Sequence, residues 1–213
     1  MITKLREQLI TVAREMNRFG INQGTSGNLS LRCADGFLVT PSGLPYDRLE
    51  PADVVRLKLE RGESPAATGP RKPSSEWRIH RDVYLARPDA HAILHAHPVH
   101  CAALACLRRP LPAFHYMVAV AGGRDIRCAP YATFGSQSLS DHVLEALAGR
   151  RACLMANHGL LCLAPDLSRA LALAVEIEAL ARAYLLCLSV GEPFVLDDAE
   201  MERVLEKFKD YGA

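Results

Sequence analysis

Two histidines with one residue between them, His95 and His97, form the first pattern in the chain that could support chemistry. Successive side chains of a β-strand point to opposite faces, so two imidazoles at this spacing share a face and can chelate one ion. A catalytic zinc site uses three protein ligands and keeps one position open. The best candidate for a third ligand is His158, which lies between a short apolar segment and Gly159, where a strand is expected to end in a turn. Histidines at this spacing are about as often ordinary core or surface residues as they are metal ligands, so the spacing alone does not establish a metal site.

A second metal motif overlaps the first, because His95, His97 and His100 have the spacing H-x-H-x-x-H. This spacing resembles the ligand motif of metallo-β-lactamase-type hydrolases. That motif carries an aspartate immediately before its third histidine, where it helps to hold a second metal, and this chain has Val99 there. The hydrolase interpretation is therefore weak. The histidines outside these motifs are expected to be structural or exposed, and they are His80, His91, His115 and His142.

The segment Ser74-Ser75-Glu76 is expected to open a helix over residues 74–87. Serine hydroxyls and the free N–H groups of a helix N-terminus bind anions, so this segment could hold a phosphate group without a lysine. Glu76 has two interpretations. A carboxylate in the first turn stabilises a helix. Beside a bound metal, it could instead remove a proton from a carbon next to a carbonyl, since the metal stabilises the resulting enediolate as a Lewis acid.

Two turns built from small residues, Gly27-Asn28 and Ser42-Gly43, could bring backbone N–H groups close to a ligand. Taken singly, each is more simply a turn without a ligand. The charge of the chain is nearly balanced, with 25 Lys and Arg residues against 24 Asp and Glu residues and a net charge of +1. Such a protein is not expected to bind nucleic acid or an anionic membrane. Any phosphate group that it binds must therefore be held by local charges and backbone N–H donors rather than by a basic surface.

Nothing in the sequence suggests export or insertion into a membrane. The chain begins MITKLREQLI, in which charged residues leave no secretory apolar segment. The most apolar late stretch, residues 170–190, contains Glu176, Glu178 and Arg182 and is expected to be a buried helix. The seven cysteines are scattered and include no C-x-x-C pair. These features predict a protein of a reduced compartment, the cytoplasm.

The elements that must position the candidate residues can be predicted from hydrophobic periodicity and turn residues. Helices are expected over residues 2–19, 74–87, 99–107, 138–147, 166–190 and 198–209. Strands are expected over residues 29–32, 37–40, 53–59, 90–96, 125–129, 152–156 and 160–163. Hairpins mixed with helices favour a single α/β domain, residues 1–213, with helices on both faces of a largely antiparallel central sheet.

Eight stretches of the chain together resemble the class II aldolase/adducin family, most closely its L-fuculose-1-phosphate aldolase branch. They are GTSGNLSLR, TPSGLPYDRL, PSSEWRIHRDVYLARPDA, HAHPVHC, HYMVAVAGG, CAPYATFG, NHG and EKFKDYG. One stretch alone is weak evidence, but the ordered set runs from near residue 24 to residue 212 and is specific. The resemblance implies the fold of that family. It also implies a zinc-dependent aldolase that reversibly cleaves a ketose 1-phosphate, such as L-fuculose 1-phosphate, to dihydroxyacetone phosphate and an aldehyde.

The same resemblance implies roles for individual residues. The implied zinc ligands are His95, His97 and His158, and Glu76 matches an acid/base residue that can also bind the resting metal. The family's phosphate-binding positions match Gly27, Asn28, Ser42, Gly43, Ser74 and Ser75. The aldehyde side matches Tyr116, a proton donor to the aldehyde oxygen, together with Tyr211 and the apolar wall residue Phe134. The family forms homotetramers with sites between subunits, so both tyrosines are candidates for acting on a neighbouring subunit's site.

Other activities stay open on the same scaffold. A 5-deoxy- or methylthio-pentulose 1-phosphate aldolase would suit the apolar Phe134 equally well. A ribulose-phosphate 4-epimerase or a sugar-acid phosphate decarboxylase would use the same metal and phosphate groups, although HYM, PYATFG and FKDYG look like the aldolase branch. The family also includes adducin-type heads that assemble cytoskeleton without catalysis. Such a head need not keep three metal histidines and Glu76.

Overall fold

The computed structural model describes residues 2–63 and 66–209 of the chain. Within these residues, six α-helices and eight β-strands are present. The helices are α1 (Ile2–Arg18), α2 (Trp77–Ala86), α3 (Val99–Cys106), α4 (Gln137–Ala146), α5 (Leu167–Val190) and α6 (Asp198–Phe208). The strands are β1 (Asn28–Cys33), β2 (Gly36–Val39), β3 (Val55–Lys58), β4 (Ala67–Thr68), β5 (Ala92–Ala96), β6 (Cys128–Ala129), β7 (Ala152–Met155) and β8 (Gly159–Ala164).

All of these strands form one sheet in the order β4-β3-β2-β1-β5-β8-β7-β6. Neighbouring strands are antiparallel except for β6 and β7, which are parallel. The predicted α/β fold with a largely antiparallel sheet is therefore confirmed. β5 lies between β1 and β8, so its C-terminal end is next to the first residues of both: Asn28 of β1 lies opposite His95, and Leu160 of β8 lies opposite Ala96.

Helices cover both faces of the sheet, as the sequence predicts. One face packs against α1, α3 and α5 through an apolar cluster that includes Leu94 of β5. The other face packs against α2 and α4 through a second cluster that includes Ile93 of β5 and Val83 of α2. Burial of such clusters stabilises a fold by about 25 cal/mol per Å² of apolar surface removed from water. Because side chains alternate along β5, His95 is on the same face as Ile93, toward α2.

The start of α2 differs from the prediction. The helix begins at Trp77 rather than at residue 74, because the residues before it pair with another part of the chain. Pro73 forms an isolated bridge with Pro41, and the Ser74 amide donates a hydrogen bond of 3.1 Å to the Thr40 carbonyl. Glu76 is therefore the N-cap residue of α2, yet its carboxylate makes no capping hydrogen bond.

Two further differences lie at the ends of the sheet. None of the predicted strands includes Ala67–Thr68, which pairs with β3 as the edge strand β4. β6 covers only Cys128–Ala129 of the predicted 125–129, because Ile126 pairs instead with Leu111 in an isolated bridge. In the described part of the chain, no helix combines the length and the apolar character that crossing a membrane requires.

Candidate metal and substrate site

Three histidines meet at the C-terminal end of β5. His95 is in β5, His97 follows the strand directly, and His158 is in the turn between β7 and β8. The ring centroids are 4.7 Å apart for His95 and His97, 4.8 Å for His95 and His158, and 5.0 Å for His97 and His158. One ring nitrogen from each residue lies within 4.8 Å of the other two. The arrangement is that of three ligands around one small cation.

The turn that carries His158 has a special backbone. Asn157 has φ 54°, a left-handed conformation in which asparagine is one of the few favoured side chains. The backbone N–H of Asn157 donates to the Ala105 carbonyl at 2.9 Å, and the side-chain Oδ1 of Asn157 accepts from Arg108 Nε at 3.0 Å. Gly159 leaves no room for a side chain, since an added Cβ would lie 2.5 Å from the Ala96 carbonyl oxygen. The turn therefore approaches β5 closely enough to bring His158 to the other two imidazoles.

Glu76 faces this cluster from the N-terminus of α2. Its Oε2 lies 3.0 Å from His95 Nε2, and its Oε1 lies 3.3 Å from His158 Nε2. Asn28 Nδ2 donates to Glu76 Oε2 at 3.0 Å. The glutamate is 5% exposed, so water solvates its carboxylate only slightly. Side chains of β1, α2, β5 and the β7–β8 turn thus converge on one point.

The charges in this cluster are strongly coupled. Burial would raise the pKa of the Glu76 carboxyl, but the charge and hydrogen bond of His95 outweigh burial and hold that pKa well below its ordinary value. Burial opposes the charged form of His95, and the Glu76 carboxylate more than compensates and raises the His95 pKa. Burial and the His95 charge lower the pKa of His97 and of His158 to about 4. At neutral pH the site therefore holds an ionised carboxylate and two uncharged imidazoles.

This donor set fits a divalent cation. A carbonyl oxygen only accepts, so the 2.9 Å contact between His95 Nδ1 and the Leu160 carbonyl means that Nδ1 carries a proton. His95 Nε2 is then the nitrogen directed at the cluster, and it loses its proton when a metal binds. Glu76 Oε1 is buried and has no hydrogen-bond partner among the described residues, a cost that a cation would remove. Three imidazoles and a carboxylate suit zinc or a similar transition-metal ion.

The residues predicted to bind phosphate lie around this cluster. An added Cβ at Gly27 would be 2.7 Å from the His95 carbonyl oxygen, so Gly27 packs directly on β5. Gly43 adopts φ +71° in an exposed turn whose Ser42 amide donates to the Lys72 carbonyl at 3.1 Å. That contact and the Pro41–Pro73 bridge place the 42–43 turn beside Ser74 and Ser75. Ser74 Oγ accepts a hydrogen bond of 3.3 Å from the Glu76 backbone amide, directly before α2.

A cleft of about 340 Å³ opens beside the histidines. Its lining comprises Ser26, Ser75, Glu76, His97, Tyr131, Ala132, Phe134, Asn157 and His158. Phe134 is 66% exposed and Tyr131 is 54% exposed, so two aromatic rings form an open wall. Tyr131 and Asn157 are not among the residues predicted from the sequence. Tyr131 lies in the CAPYATFG stretch and Asn157 lies in the NHG stretch, so the sequence offered a signal for both.

Tyr116 is not brought to the histidines within one chain. It is 51% exposed and lines a different cavity, of about 860 Å³, which includes His115, Leu196, Arg203 and Phe208. Its ring stacks on His115 with the centroids 4.9 Å apart. Tyr211 lies outside the described residues. Among the described residues, Tyr116 therefore does not line the cleft beside Glu76.

Known proteins with similar sequences and structures cover almost the whole chain. Residues 7–185 match the family model of the class II aldolase and adducin N-terminal domain. The 5-methylthioribulose-1-phosphate/5-deoxyribulose-1-phosphate aldolase of Rhodospirillum rubrum is 54% identical over 208 residues, covering 98% of this chain and 92% of the relative. The L-fuculose phosphate aldolase of Escherichia coli K12 is 50% identical over 214 residues, covering 98% and 96%. A solved L-fuculose 1-phosphate aldolase structure is similar, with a TM-score of 0.92 at 41% identity, covering 97% of this chain and 96% of that one.

Proposed function

The chain belongs to the class II aldolase and adducin family and is a carbon–carbon lyase, and from that premise we propose that its substrate is a ketose 1-phosphate, L-fuculose 1-phosphate or a similar sugar. The products are dihydroxyacetone phosphate and an aldehyde, and the reaction is reversible. One observation carries the proposal: the Glu76 carboxylate lies 3.0 Å from His95 Nε2 and 3.3 Å from His158 Nε2. A base is thereby held beside a metal-type donor set, as enolisation next to a carbonyl requires.

The proposed cofactor is Zn²⁺, with His95, His97 and His158 as its ligands and Glu76 as a fourth ligand in the resting enzyme. A divalent cation there acts as a Lewis acid that polarises the carbonyl and hydroxyl oxygens of the substrate. Glu76 Oε1 supports this assignment, because it is buried and accepts no hydrogen bond among the described residues, although His158 Nε2 lies 3.3 Å away. An ionised oxygen without a hydrogen bond is costly inside a protein. Two uncharged imidazoles at neutral pH support it as well.

Glu76 is the proposed acid/base residue. In the synthetic direction it removes a proton from the carbon next to the carbonyl of dihydroxyacetone phosphate, and in cleavage it returns one. Asn28 Nδ2, at 3.0 Å, holds Oε2 of this carboxylate in place. The phosphate is bound by Gly27, Asn28, Ser42, Gly43, Ser74 and Ser75, through backbone N–H groups and hydroxyls. Their arrangement around the α2 N-terminus supports this, because such an end attracts anions.

The part of the site that binds the aldehyde is proposed to include residues of a neighbouring subunit. Tyr116 protonates the aldehyde oxygen as the new bond forms, Tyr211 lies near the aldehyde, and Phe134 contributes an apolar wall. Because Tyr116 lines a cavity separate from the Glu76 cleft, it acts on the cleft of a neighbouring subunit. The resemblance to the family implies the oligomeric state, and we propose a homotetramer with its sites between subunits as the active form. We place the enzyme in the cytoplasm, in keeping with its free cysteines.

A second candidate substrate is 5-deoxyribulose 1-phosphate or 5-methylthioribulose 1-phosphate. The 54% identity to an aldolase named for those two substrates favours it, as do the exposed rings of Tyr131 and Phe134 in the cleft. Apolar rings suit an aldehyde that carries a methyl or thioether group in place of hydroxyls. An epimerase or a decarboxylase on this scaffold would release no dihydroxyacetone phosphate, and an adducin-type head would bind no metal.

A cleavage screen tests these assignments. Purified, zinc-loaded protein is incubated with the 1-phosphates of fuculose, rhamnulose, ribulose, 5-deoxyribulose and methylthioribulose, and release of dihydroxyacetone phosphate is followed. The expected result is cleavage of at least one ketose 1-phosphate, with the order of kcat/KM identifying the aldehyde. Conversion of a sugar phosphate without any three-carbon product would overturn the aldolase assignment.

A further inference from the structure

A row of buried hydrogen bonds leads from Glu76 into the space between α2 and β1. Asn28 Nδ2 contacts Glu76 Oε2 at 3.0 Å, and Asn28 Oδ1 contacts His80 Nε2 at 2.5 Å. Ser30 Oγ contacts His80 Nδ1 at 2.6 Å and the Tyr84 hydroxyl at 2.8 Å. Asn28 is 3% exposed, and His80 and Ser30 are 0% exposed, so water cannot replace any member of the row.

The chemistry of the groups determines which atom donates the hydrogen bond at each contact. An ionised carboxylate only accepts, so Asn28 must present its NH₂ group to Glu76 and its carbonyl oxygen to His80. An amide oxygen also only accepts, so His80 Nε2 must carry a proton. Burial lowers the pKa of His80 to about 3, which keeps the ring uncharged with a single N–H. His80 Nδ1 therefore accepts from the Ser30 hydroxyl. The single Tyr84 hydroxyl proton is shared between Ser30 Oγ, at 2.8 Å, and the His91 carbonyl oxygen, at 3.3 Å.

Only one tautomer of His80 agrees with this pattern. The other tautomer, with its proton on Nδ1, would favour an Asn28 amide turned by 180°, so that its NH₂ group could donate to His80 Nε2. The turned amide would present its oxygen to the Glu76 carboxylate, and two acceptors would then repel each other. An asparagine amide is nearly symmetric in shape, so packing alone does not select between the two orientations. The contacts with Glu76 and with His80 select the orientation together.

We propose that His80 is a positioning residue of the proposed aldolase reaction, whose Nε2–H group fixes the Asn28 amide so that its NH₂ group holds the Glu76 carboxylate. This inference rests on the proposed function, because it assumes that Glu76 is the base. His80 lies one helical turn after Glu76 on α2, on the same side of the helix. Asn28 lies opposite His95 in the β1–β5 pair. One helix therefore carries both the base and the residue that orients the base's partner.

The tautomer can be measured without any activity. In the zinc-loaded full chain labelled with ¹⁵N-histidine, the His80 ring signals are assigned through the backbone and checked by their loss in His80→Gln. We expect a protonated Nε2 and an unprotonated Nδ1 from pH 6 to 8. A ring protonated on Nδ1, on both nitrogens, or exchanging rapidly between tautomers would overturn the proposal.

Two substitutions separate positioning from packing. The terminal amide of His80→Gln can place an N–H group where Nε2 was, whereas His80→Asn reaches only the former Nδ1 position and cannot donate to Asn28. We expect His80→Asn to lower kcat/KM for ketose phosphate cleavage about tenfold or more, the usual effect of losing one buried hydrogen bond. His80→Gln should stay within about threefold of the wild type.

Val83→Ala is the matched control, because Val83 is on the same helix, is fully buried and packs in the α2–α4 apolar cluster. It should lower the melting temperature without changing kcat/KM, and zinc content is measured for all variants. Equal losses of activity in the Gln and Asn variants, or losses that follow melting temperature as in Val83→Ala, would overturn the role of His80. A wild-type chain that cleaves no ketose phosphate would overturn the proposed function instead.

Discussion

His95 and Glu76 face each other across the interface between the sheet and α2, with 3.0 Å between Nε2 and Oε2. The contact joins the penultimate residue of β5 to the N-cap residue of α2, and both side chains are almost fully buried. A carboxylate in this position stabilises positive charge on the imidazole, or on a cation that replaces the imidazole proton. The proposed chemistry depends on this contact.

Replacing Glu76 with glutamine tests the base directly. Glu76→Gln keeps the size of the side chain but removes the charge that accepts a proton, so cleavage should fall about 10²- to 10⁴-fold. Zinc content measured by atomic absorption should stay near one per chain, because three histidines suffice to hold the ion. Glu60→Gln, at an exposed position, is the control and should retain full activity. Unchanged zinc together with unchanged cleavage in Glu76→Gln would exclude the proposed role.

Removal of the metal should abolish cleavage and also lower stability. Without a cation, Glu76 Oε1 accepts no hydrogen bond from the described residues and the cluster loses its central charge. A ligand present at about 100 times its dissociation constant stabilises a fold by about 2.7 kcal/mol, so dialysis against a chelator should lower the melting temperature measured by calorimetry. Adding zinc back should restore both properties. His158→Ala should bind zinc weakly, whereas His91→Ala, at an exposed position outside the cluster, should bind it normally.

Mixing two inactive variants tests whether sites are shared between subunits. Tyr116→Phe should lower cleavage about 10²- to 10⁴-fold through loss of a proton donor. When it is co-expressed with Glu76→Gln in equal amounts, random assembly gives about a quarter of the sites an intact Glu76 facing an intact Tyr116. Activity of the purified mixed assembly should therefore recover to about a quarter of the wild-type value. No recovery in assemblies that contain both chains, confirmed by mass spectrometry, would place the two residues in one subunit's site.

The closeness of the β7–β8 turn to β5 can be tested at Gly159. An added Cβ would lie 2.6 Å from His97 Cδ2 as well as 2.5 Å from the Ala96 carbonyl oxygen, and backbone cannot move aside cheaply. Gly159→Ala should destabilise the protein by about 2 kcal/mol in urea unfolding and weaken zinc binding. Gly191→Ala is the matched substitution, since an added Cβ there meets nothing within 4 Å, and it should be neutral. Equal stability of the two variants would contradict the geometry of the turn.

Asp82 should make stability depend on pH in the acid range. Burial would raise its pKa, but hydrogen bonds from Arg81, Ser140 and Gln137 outweigh burial and lower it. A group whose pKa is lower in the folded state stabilises the fold above the unfolded-state pKa, and that contribution is lost as the pH falls through the folded value. Asp82→Asn should therefore cost about 2 kcal/mol at pH 7, and the difference from wild type should shrink as the pH falls below about 4.

Urea unfolding of both proteins at pH 7 and pH 3 measures this difference. Glu145→Gln, at an exposed position on the same helix as Ser140, serves as the control and should change stability by less than about 0.5 kcal/mol at either pH. A penalty for Asp82→Asn that is the same at both pH values would show that the carboxylate charge contributes nothing.

Much of the fold could be predicted because its elements carry local patterns. The short, fully buried apolar strand β5 and the capped, periodic helices α4, α5 and α6 lie within a few residues of their predicted bounds. The H-x-H spacing needs only the two-residue repeat of a strand to place two imidazoles together. The start of α2 was predicted wrongly. The residues before Trp77 resemble a helix start in sequence, but the Pro41–Pro73 bridge and the Thr40–Ser74 hydrogen bond hold them in an extended pairing instead.

By itself, the sequence determined which residue types were available for chemistry, which strand carried the paired histidines, and which family the ordered stretches resemble. Only the tertiary structure decided that Glu76 turns away from capping its own helix, that His80 is part of a buried row rather than an isolated core histidine, and that Tyr116 lies away from the histidines of its own chain. The physical reason is the distance along the chain over which each kind of interaction acts. Side-chain periodicity acts over a few residues, whereas the contacts of Asn28 with Glu76 and of His95 with Leu160 join segments that meet only when the whole sheet has formed.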